Sequence, residues 1–209
     1  MGSARIRPAV VLCSLGAAIS LAAGAAGAQG GGEAFTDTER QRLRAGELVV
    51  RDVTRREGPY RMLGGTSWQR VHAPVDQVWA AVNDTDAYGV LIPALERAEL
   101  VRDDDDERLL RMHHRYSFAS ASYYARVAID AERYRMRFDL DRSRPSDLRA
   151  GRGFIQLSPY RGDTIVSWGV LADPGGGMVV DVLGPLLHDW MLAVPRCVRD
   201  YVETGHGGC

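Results

Sequence analysis

The chain has 209 residues, and its 26 basic and 27 acidic side chains give a formal net charge of −1 at pH 7. This balance lacks the excess of positive charge that binding to nucleic acid requires, so we expect no nucleic-acid partner. The sequence contains no nucleophile elbow, phosphate-binding loop or cluster of metal-ligand residues, and we therefore predict neither a cofactor nor a metal site.

The first 28 residues have the pattern of an export signal. Arg5 and Arg7 precede an apolar run at 8–26, and the small residues at 26–28 form a cleavage pattern. We expect the mature chain to begin near Gln29 and to be exported, either to the periplasm or out of the cell. A retained membrane anchor is the alternative, because the run is about as long as a spanning helix of roughly 20 residues. Its glycine and alanine content favours a cleaved signal.

Residues 29–65 are predicted to form an extension that precedes the main domain. Thr36 and Glu39 have the spacing of a capping box, which starts a short helix, and a valine-rich strand follows. Gly64 and Gly65 interrupt a second extended run and indicate a β-bulge. The role of this extension is open, and one hypothesis makes it the contact surface of an interaction module in the cell envelope.

The next segment changes from helical to strand periodicity. Pro74 suits the first position of a helix, and the apolar residues after it recur with the spacing of one buried face, at Val75, Val78, Trp79 and Val82. Beyond the acidic run at 103–106, apolar and charged residues alternate along several strands. The first of these strands carries on its apolar face Leu110, Met112, His114, Tyr116 and Phe118. Such alternation is typical of an antiparallel sheet with one face in water.

A wide apolar stripe along residues 183–202 predicts a long C-terminal helix. Trp190 lies at the centre of the stripe and is expected to be buried against the sheet. Pro195 also lies inside the stripe and should kink the helix, because proline removes one hydrogen bond and clashes with the preceding turn. Residues 205–209 are predicted to be a flexible tail.

Together these elements predict an α+β fold in which a curved antiparallel β-sheet wraps around a long C-terminal α-helix. A sheet and a helix in this arrangement enclose a cavity, lined by the apolar faces of both. The cavity is therefore the candidate functional site.

Four short motifs stand between residues 73 and 168: APVDQVW at 73–79, the loop residues Asp84, Tyr88 and Pro93, GFIQLSP at 153–159, and DTIVSW at 163–168. They resemble motifs of the START-like helix-grip superfamily (SRPBCC), in particular its polyketide cyclase and lipid-transport group and its START-like coenzyme-Q-binding proteins. The resemblance implies a helix-grip domain over residues 66–204. Because the superfamily includes carriers, enzymes, receptors and allergens, the resemblance implies a fold and not a single function.

The inward strand faces and the last helix supply the candidate ligand-binding residues. These residues are mostly apolar or aromatic and face the predicted cavity: Met112, His114, Tyr116, Phe138, Trp168, Trp190 and Met191. We predict that they hold an apolar small molecule, such as a lipid or a quinone, in an exported binding or carrier protein. Contact with a membrane would be transient, and no catalytic residue is assigned.

His114 is a polar residue on this apolar face, and two interpretations are open. It could bind a ligand or act as a general acid or base, or a neighbouring hydroxyl or carbonyl could simply satisfy it. The alternative function is a cyclase- or hydrolase-like enzyme, which would need His114 to converge with a group such as Tyr116 or Tyr124. Two ionisable side chains within hydrogen-bond reach in the cavity would favour the enzyme.

Two cysteines, Cys197 and Cys209, follow the predicted cleavage site. Export would permit a disulfide between them. The alternative is a buried Cys197 and a frayed tail. The identity of the ligand and the oligomeric state are open at this point.

Overall fold

A computed structural model of the chain describes residues 34–116, 119–175 and 187–207. All of them belong to one compact unit, residues 33–209. The predicted signal at 1–28 lies outside the described residues.

The helices and strands are segregated along the chain, as in an α+β protein. They are α1 (Asp37–Arg44), β1 (Val49–Glu57), β2 (Tyr60–Val71), α2 (Val75–Asn83), a 3₁₀ turn (Thr85–Ala87), α3 (Tyr88–Leu91), β3 (Leu95–Asp103), β4 (Glu107–Tyr116), β5 (Ala119–Asp130), β6 (Arg135–Leu140), β7 (Ala150–Tyr160), β8 (Asp163–Asp173), the helical residues 187–192 (α4) and α5 (Val194–Thr204).

The eight strands form one antiparallel sheet with the order β1-β2-β8-β7-β6-β5-β4-β3. Strands β3 to β8 follow one another as a meander, and the β1–β2 hairpin is added beside β8. The sheet curves around the C-terminal helix, so the predicted helix-grip fold class is confirmed. The predicted boundary between residues 65 and 66 falls inside β2, and the predicted extension therefore shares its sheet with the rest of the domain.

Gly64 and Gly65 allow three strands to pass close together. Their φ angles are 141° and 150°. A Cβ added at Gly64 would lie 2.0 Å from the carbonyl oxygen of Val170 in β8. A Cβ added at Gly65 would lie 2.2 Å from the carbonyl oxygen of Arg51 in β1. The pairing of β2 with β8 runs without a register shift from Leu63 to Val71. The predicted bulge is therefore wrong, since the glycines provide close approach and leave the register unbroken.

The N-terminal helix is fixed to the sheet by a charged contact. Thr36 and Glu39 form the predicted capping box at the start of α1. The carboxylate of Glu39 also accepts hydrogen bonds from Arg51 of β1 at 2.7 and 2.8 Å. These bonds hold the pKa of Glu39 at about 2, so the carboxylate is ionised and α1 remains attached to β1 at neutral pH.

The C-terminal helical segment is divided where the sequence predicted one kinked helix. Residues 187–192 are helical, Ala193 is not, and α5 begins at Val194 with Pro195 in its first turn. The expected interior kink is wrong because a proline in the first turn has no hydrogen-bond partner to lose. Trp190 is only partly buried, which also corrects the expectation of a fully buried residue.

The core lies between the sheet and the helices α2 and α5. Val78 and Val82 of α2, with Val194 and Val198 of α5, pack on apolar residues of β2, β7 and β8. Each fully buried valine stabilises the fold by about 1.5–3 kcal/mol. Within the described residues, no helix combines the length and the apolar character needed to cross a membrane.

Cys197 lies in α5 without any exposed surface and is disulfide-bonded. The disulfide at Cys197 agrees with the expected bridge, and its pairing with Cys209 stays a prediction. Cys209, its predicted partner, lies outside the described residues. The helix ends at Gly205, whose φ of 72° suits the left-handed cap position that glycine favours.

Candidate functional site

A cavity of about 450 Å³ lies between the concave face of the sheet and the helices. The sheet contributes apolar side chains from five strands, β4 to β8: Leu110, Met112, Ala121, Ala125, Val127, Met136, Phe138, Ile155, Trp168 and Val170. The helical side contributes Val82, Leu91, Trp190, Met191, Val194 and Val198. An apolar wall of this kind is suited to hydrocarbon or aromatic ligands.

Small residues on β5 account for part of this space. Ala121 lies opposite His114 and Ala125 lies opposite Leu110, with Tyr123 between them on the same face. Protein interiors are otherwise close-packed. Two alanines on the concave face of a curved sheet therefore leave volume that larger side chains would fill.

The structure brings most of the predicted site residues together. The residues on the cavity wall are Met112, His114, Phe138, Trp168, Trp190 and Met191. Tyr116 ends β4, and its side chain lies outside what the structure describes. That these residues contact a ligand stays a prediction.

Two aromatic rings and one backbone carbonyl fix the wall on the β8 side. Phe138 and Trp168 stack with their centroids 4.9 Å apart and their planes inclined by 29°. The indole Nε1–H of Trp168 donates to the carbonyl oxygen of Met191 at 2.7 Å. This bond ties α4 to the sheet and satisfies the buried indole donor.

One polar pair stands in this wall, formed by His114 and Tyr123. The imidazole Nε2 lies 3.0 Å from the Tyr123 hydroxyl, and the two rings are stacked with an interplanar angle of 10°. Both residues line the cavity. His113 points to the opposite face, where its Nδ1 lies 2.7 Å from the Ser122 hydroxyl, as the alternation of the strand predicts.

Sequence analysis missed Tyr123 and considered Tyr124 instead. Tyr124 lies on the outer face, beneath the guanidinium of Arg144 at 4.9 Å from the ring centroid. The suggestion that Tyr124 converges with His114 is therefore wrong. The signal for Tyr123 was its place in the alternation Ala121, Tyr123, Ala125, which is in register with the apolar face of β4.

Burial keeps both members of the pair neutral. It lowers the pKa of His114 to about 4, although a hydrogen bond to the Pro93 carbonyl acts in the opposite direction. Burial also raises the pKa of Tyr123. Near pH 7 the cavity therefore presents an uncharged imidazole and an uncharged phenol. Among the described residues, no group of three His, Cys, Asp or Glu side chains could hold a metal ion.

The lowered pKa of His114 predicts a loss of stability in acid. The unfolded chain takes up a proton at His114 near its ordinary pKa of 6.5, whereas the folded chain does so only near 4. Stability is thus complete above about pH 6.5 and falls as the pH drops towards 4. We expect this histidine to account for about 3 kcal/mol of that loss.

Urea unfolding of the wild type and of His114→Phe at pH 7 and pH 4 measures this effect. The variant should lose about 3 kcal/mol less than the wild type over this interval. Protonation of the surface carboxylates destabilises both proteins equally. This contribution therefore cancels when the two losses of unfolding free energy are compared. Equal losses would show that His114 is protonated without hindrance in the folded protein.

Residues 71–192 match a family model described as polyketide cyclase/dehydrase and lipid transport. A search of curated proteins found no match. Among solved structures, the chain is similar to a protein from Thermus thermophilus, with a TM-score of 0.59, 15% identity, and coverage of 67% of this chain and 97% of that one.

Two further solved structures show the same fold. One is a STAR-related lipid transfer protein from Xanthomonas axonopodis, with a TM-score of 0.58, 17% identity, and coverage of 75% of this chain and 93% of that one. The other is the Zhui aromatase/cyclase from Streptomyces sp. R1128, with a TM-score of 0.52, 14% identity, and coverage of 77% and 100%. At these identities the likeness concerns the fold alone.

Proposed function

Because this chain belongs to the polyketide cyclase/dehydrase and lipid transport family, we propose that it is an exported carrier that holds one apolar small molecule in its cavity. The observation that carries the proposal is the cavity of about 450 Å³ with its predominantly apolar wall. Each ligand methylene buried there contributes about 0.8 kcal/mol to binding. A lipid tail, an isoprenoid or a polycyclic ligand fits this wall chemically.

The pair formed by His114 and Tyr123 supports binding more strongly than catalysis. General acid–base catalysis needs a group whose pKa lies near the working pH. Here burial lowers the pKa of the base and raises that of the acid, so transfer of a proton from Tyr123 to His114 is strongly unfavourable. A neutral pair of this kind orients a ligand through hydrogen bonds.

The direct test of the carrier is the ligand that it carries. We expect protein purified from its own host to show, in native mass spectrometry, a species heavier than the chain by one small molecule. Solvent extraction should release that molecule and leave the bare chain. A protein that carries nothing, and that a panel of lipids and quinones does not stabilise, would contradict the proposal.

Export is a separate part of the proposal, supported by Arg5, Arg7 and the apolar run at 8–26. We expect the mature protein to begin at or near Gln29 and to be recovered outside the cytoplasm. N-terminal sequencing of the protein from its own host measures the start. Recovery of the chain in the membrane fraction with Met1 retained would contradict export and leave the carrier proposal standing.

A second candidate function, a cyclase- or hydrolase-like enzyme, is favoured by one observation. Two ionisable side chains, His114 and Tyr123, lie 3.0 Å apart on the cavity wall. Extraction of the bound molecule from the wild type and from Tyr123→Phe, produced in the same host, separates the two functions. An enzyme whose reaction is blocked should hold a different molecule, its unreacted substrate. A carrier should hold the same molecule at lower occupancy.

A further inference from the structure

A cluster of polar side chains lies on the outer face of the sheet, apart from the cavity wall described above. His113 of β4 and Ser122 of β5 are directly paired across the two strands. Both side chains therefore stand on one face, opposite to that of His114 and Tyr123. The imidazole Nδ1 of His113 lies 2.7 Å from the Ser122 hydroxyl oxygen. A serine hydroxyl within hydrogen-bond distance of an imidazole is the first element of an activated nucleophile.

The other ring nitrogen of His113 faces a carboxylate from the neighbouring strand. Nε2 lies 3.2 Å from an oxygen of Glu96, at the start of β3. A hydrogen bond from Arg115 lowers the pKa of Glu96, so this carboxylate is ionised at neutral pH and can only accept. The proton of the neutral imidazole is therefore held at Nε2, and Nδ1 is free to take the proton of the Ser122 hydroxyl.

Two further contacts hold this arrangement in place. The backbone N–H of Ser122 donates to the carboxylate of Asp147 at 2.7 Å, and the Nε–H of Arg115 donates to Glu96 at 2.8 Å. Arg115 is paired with Ser120 in the same two strands, which makes it a diagonal neighbour of Ser122. Diagonal positions on one face of a sheet lie about 7–8 Å apart, within reach of a long side chain. The guanidinium can therefore stabilise negative charge that develops on a substrate oxygen beside Ser122.

The cluster is open to solvent, so a substrate can approach it. The side chain of His113 is 32% exposed and that of Glu96 is 49% exposed, whereas Ser122 is half-buried. Arg115 and Asp147 also line the cavity, so the cluster lies at the rim of that cavity. The hydroxyl, the imidazole and the carboxylate follow one another in the order of nucleophile, general base and orienting acid.

We propose that Ser122, His113 and Glu96 form a catalytic site, on the outer face of the sheet, that hydrolyses carboxylic esters of small alcohols or phenols. The Ser122 oxygen attacks the ester carbonyl carbon, and its proton passes to Nδ1 of His113. The bond from the carbonyl carbon to the leaving oxygen then breaks, and the leaving alcohol takes that proton. Water attacks the acyl-serine in the same way and gives a proton to Nδ1. The carboxylic acid is released as the Ser122 oxygen regains this proton.

The charge of Glu96 stabilises the imidazolium that exists between these transfers. The site shares no catalytic group with the pair formed by His114 and Tyr123, and its activity does not depend on the proposed carrier function.

The first experiment needs no substitution. The wild-type protein is treated with a fluorophosphonate, which forms a covalent bond to an activated serine, and the modified residue is located by mass spectrometry of the peptides. We expect one modification, at Ser122, and none in the heat-unfolded protein. No modification of the folded protein, or modification spread over its exposed serines, would overturn the inference.

The second experiment measures the hydrolysis of p-nitrophenyl acetate at pH 7, above the rate in buffer. Ser122→Ala and His113→Gln should each lower kcat/KM at least about tenfold, because each removes a group that takes part in the proton transfer. Ser120→Ala is the matched control, since Ser120 is exposed on the same strand and is paired with Arg115 instead of the imidazole. It should retain the rate of the wild type.

Glu96 is a positioning residue, because it acts through His113. Glu96→Gln should lower kcat about tenfold and leave KM unchanged, whereas a general loosening of the sheet would also raise KM and lower the melting temperature. Ser122→Ala with the rate of the wild type, or with the same loss as Ser120→Ala, would overturn the inference. The carrier proposal stands in either case, because its test is the bound molecule and not the hydrolysis of an ester.

Discussion

Met112→Trp is expected to weaken the binding of an apolar ligand at least about tenfold while the protein stays folded. Met112 is a central residue of β4 and lines the cavity. In the sheet it is paired with Ala98 of β3 on one side and with Tyr123 of β5 on the other. The larger indole can extend into empty volume and occupy space that a ligand would use. The melting temperature should therefore change by no more than roughly 2–4 °C, the equivalent of about 1 kcal/mol.

Met62→Trp is the matched control for this substitution. Met62 is also buried, with 1% of its surface exposed, but it does not belong to the cavity wall. In a close-packed environment the same change overpacks the core and destabilises it by about 1–3 kcal/mol. If Met112→Trp destabilises the protein as much as Met62→Trp does, Met112 is part of a solid core and the cavity is not available to a ligand there.

Local periodicity was sufficient to predict strand β4 and the face that it buries. The alternation of β4 placed Met112 and His114 on the apolar face, and the structure confirms this position for both. Tyr123 was missed because its role depends on the pairing of β5 with β4. That pairing is a matter of register, and a shift by one residue would have turned Tyr124 inward instead.

The pairing of strands that are far apart in the sequence, and the division of the C-terminal helix, were less predictable. The strand character of β1 was readable from its valines, but the partner of the β1–β2 hairpin was not, since β2 pairs with β8 about one hundred residues later in the chain. The apolar residues at 183–202 likewise keep the same helical spacing before and after Ala193. Periodicity alone could not distinguish a kinked helix from two helices with Pro195 in the first turn of the second.

The second large effect is expected at Gly153, where β7 passes beneath the aromatic wall of the cavity. A Cβ at this position would lie 2.3 Å from the Gly169 carbonyl oxygen and 2.3 Å from the Phe138 ring. The carbonyl belongs to the backbone of β8 and can yield only if the sheet itself deforms. Gly153→Ala should therefore destabilise the protein by several kcal/mol, about 2–4, as expected for overpacking against backbone.

The same substitution should also disturb the ligand site, because the displaced Phe138 ring stacks on Trp168. Gly151→Ala is the matched control on the same strand. Its Cβ would lie 3.7 Å from the Leu140 Cβ, an ordinary van der Waals contact, and its φ is not in the left-handed region. Alanine there should be neutral or should stabilise by up to about 1 kcal/mol through the unfolded state.

Urea unfolding of both variants, with binding of a fluorescent apolar probe measured in parallel, compares the two positions. Gly153→Ala should lose stability and affinity together, whereas Gly151→Ala should retain both. If Gly153→Ala is as stable as Gly151→Ala, β7 and β8 can separate enough to admit a methyl group. The wall formed by Phe138 and Trp168 would then be adaptable, and the size of the cavity would be set by its occupant more than by the fold.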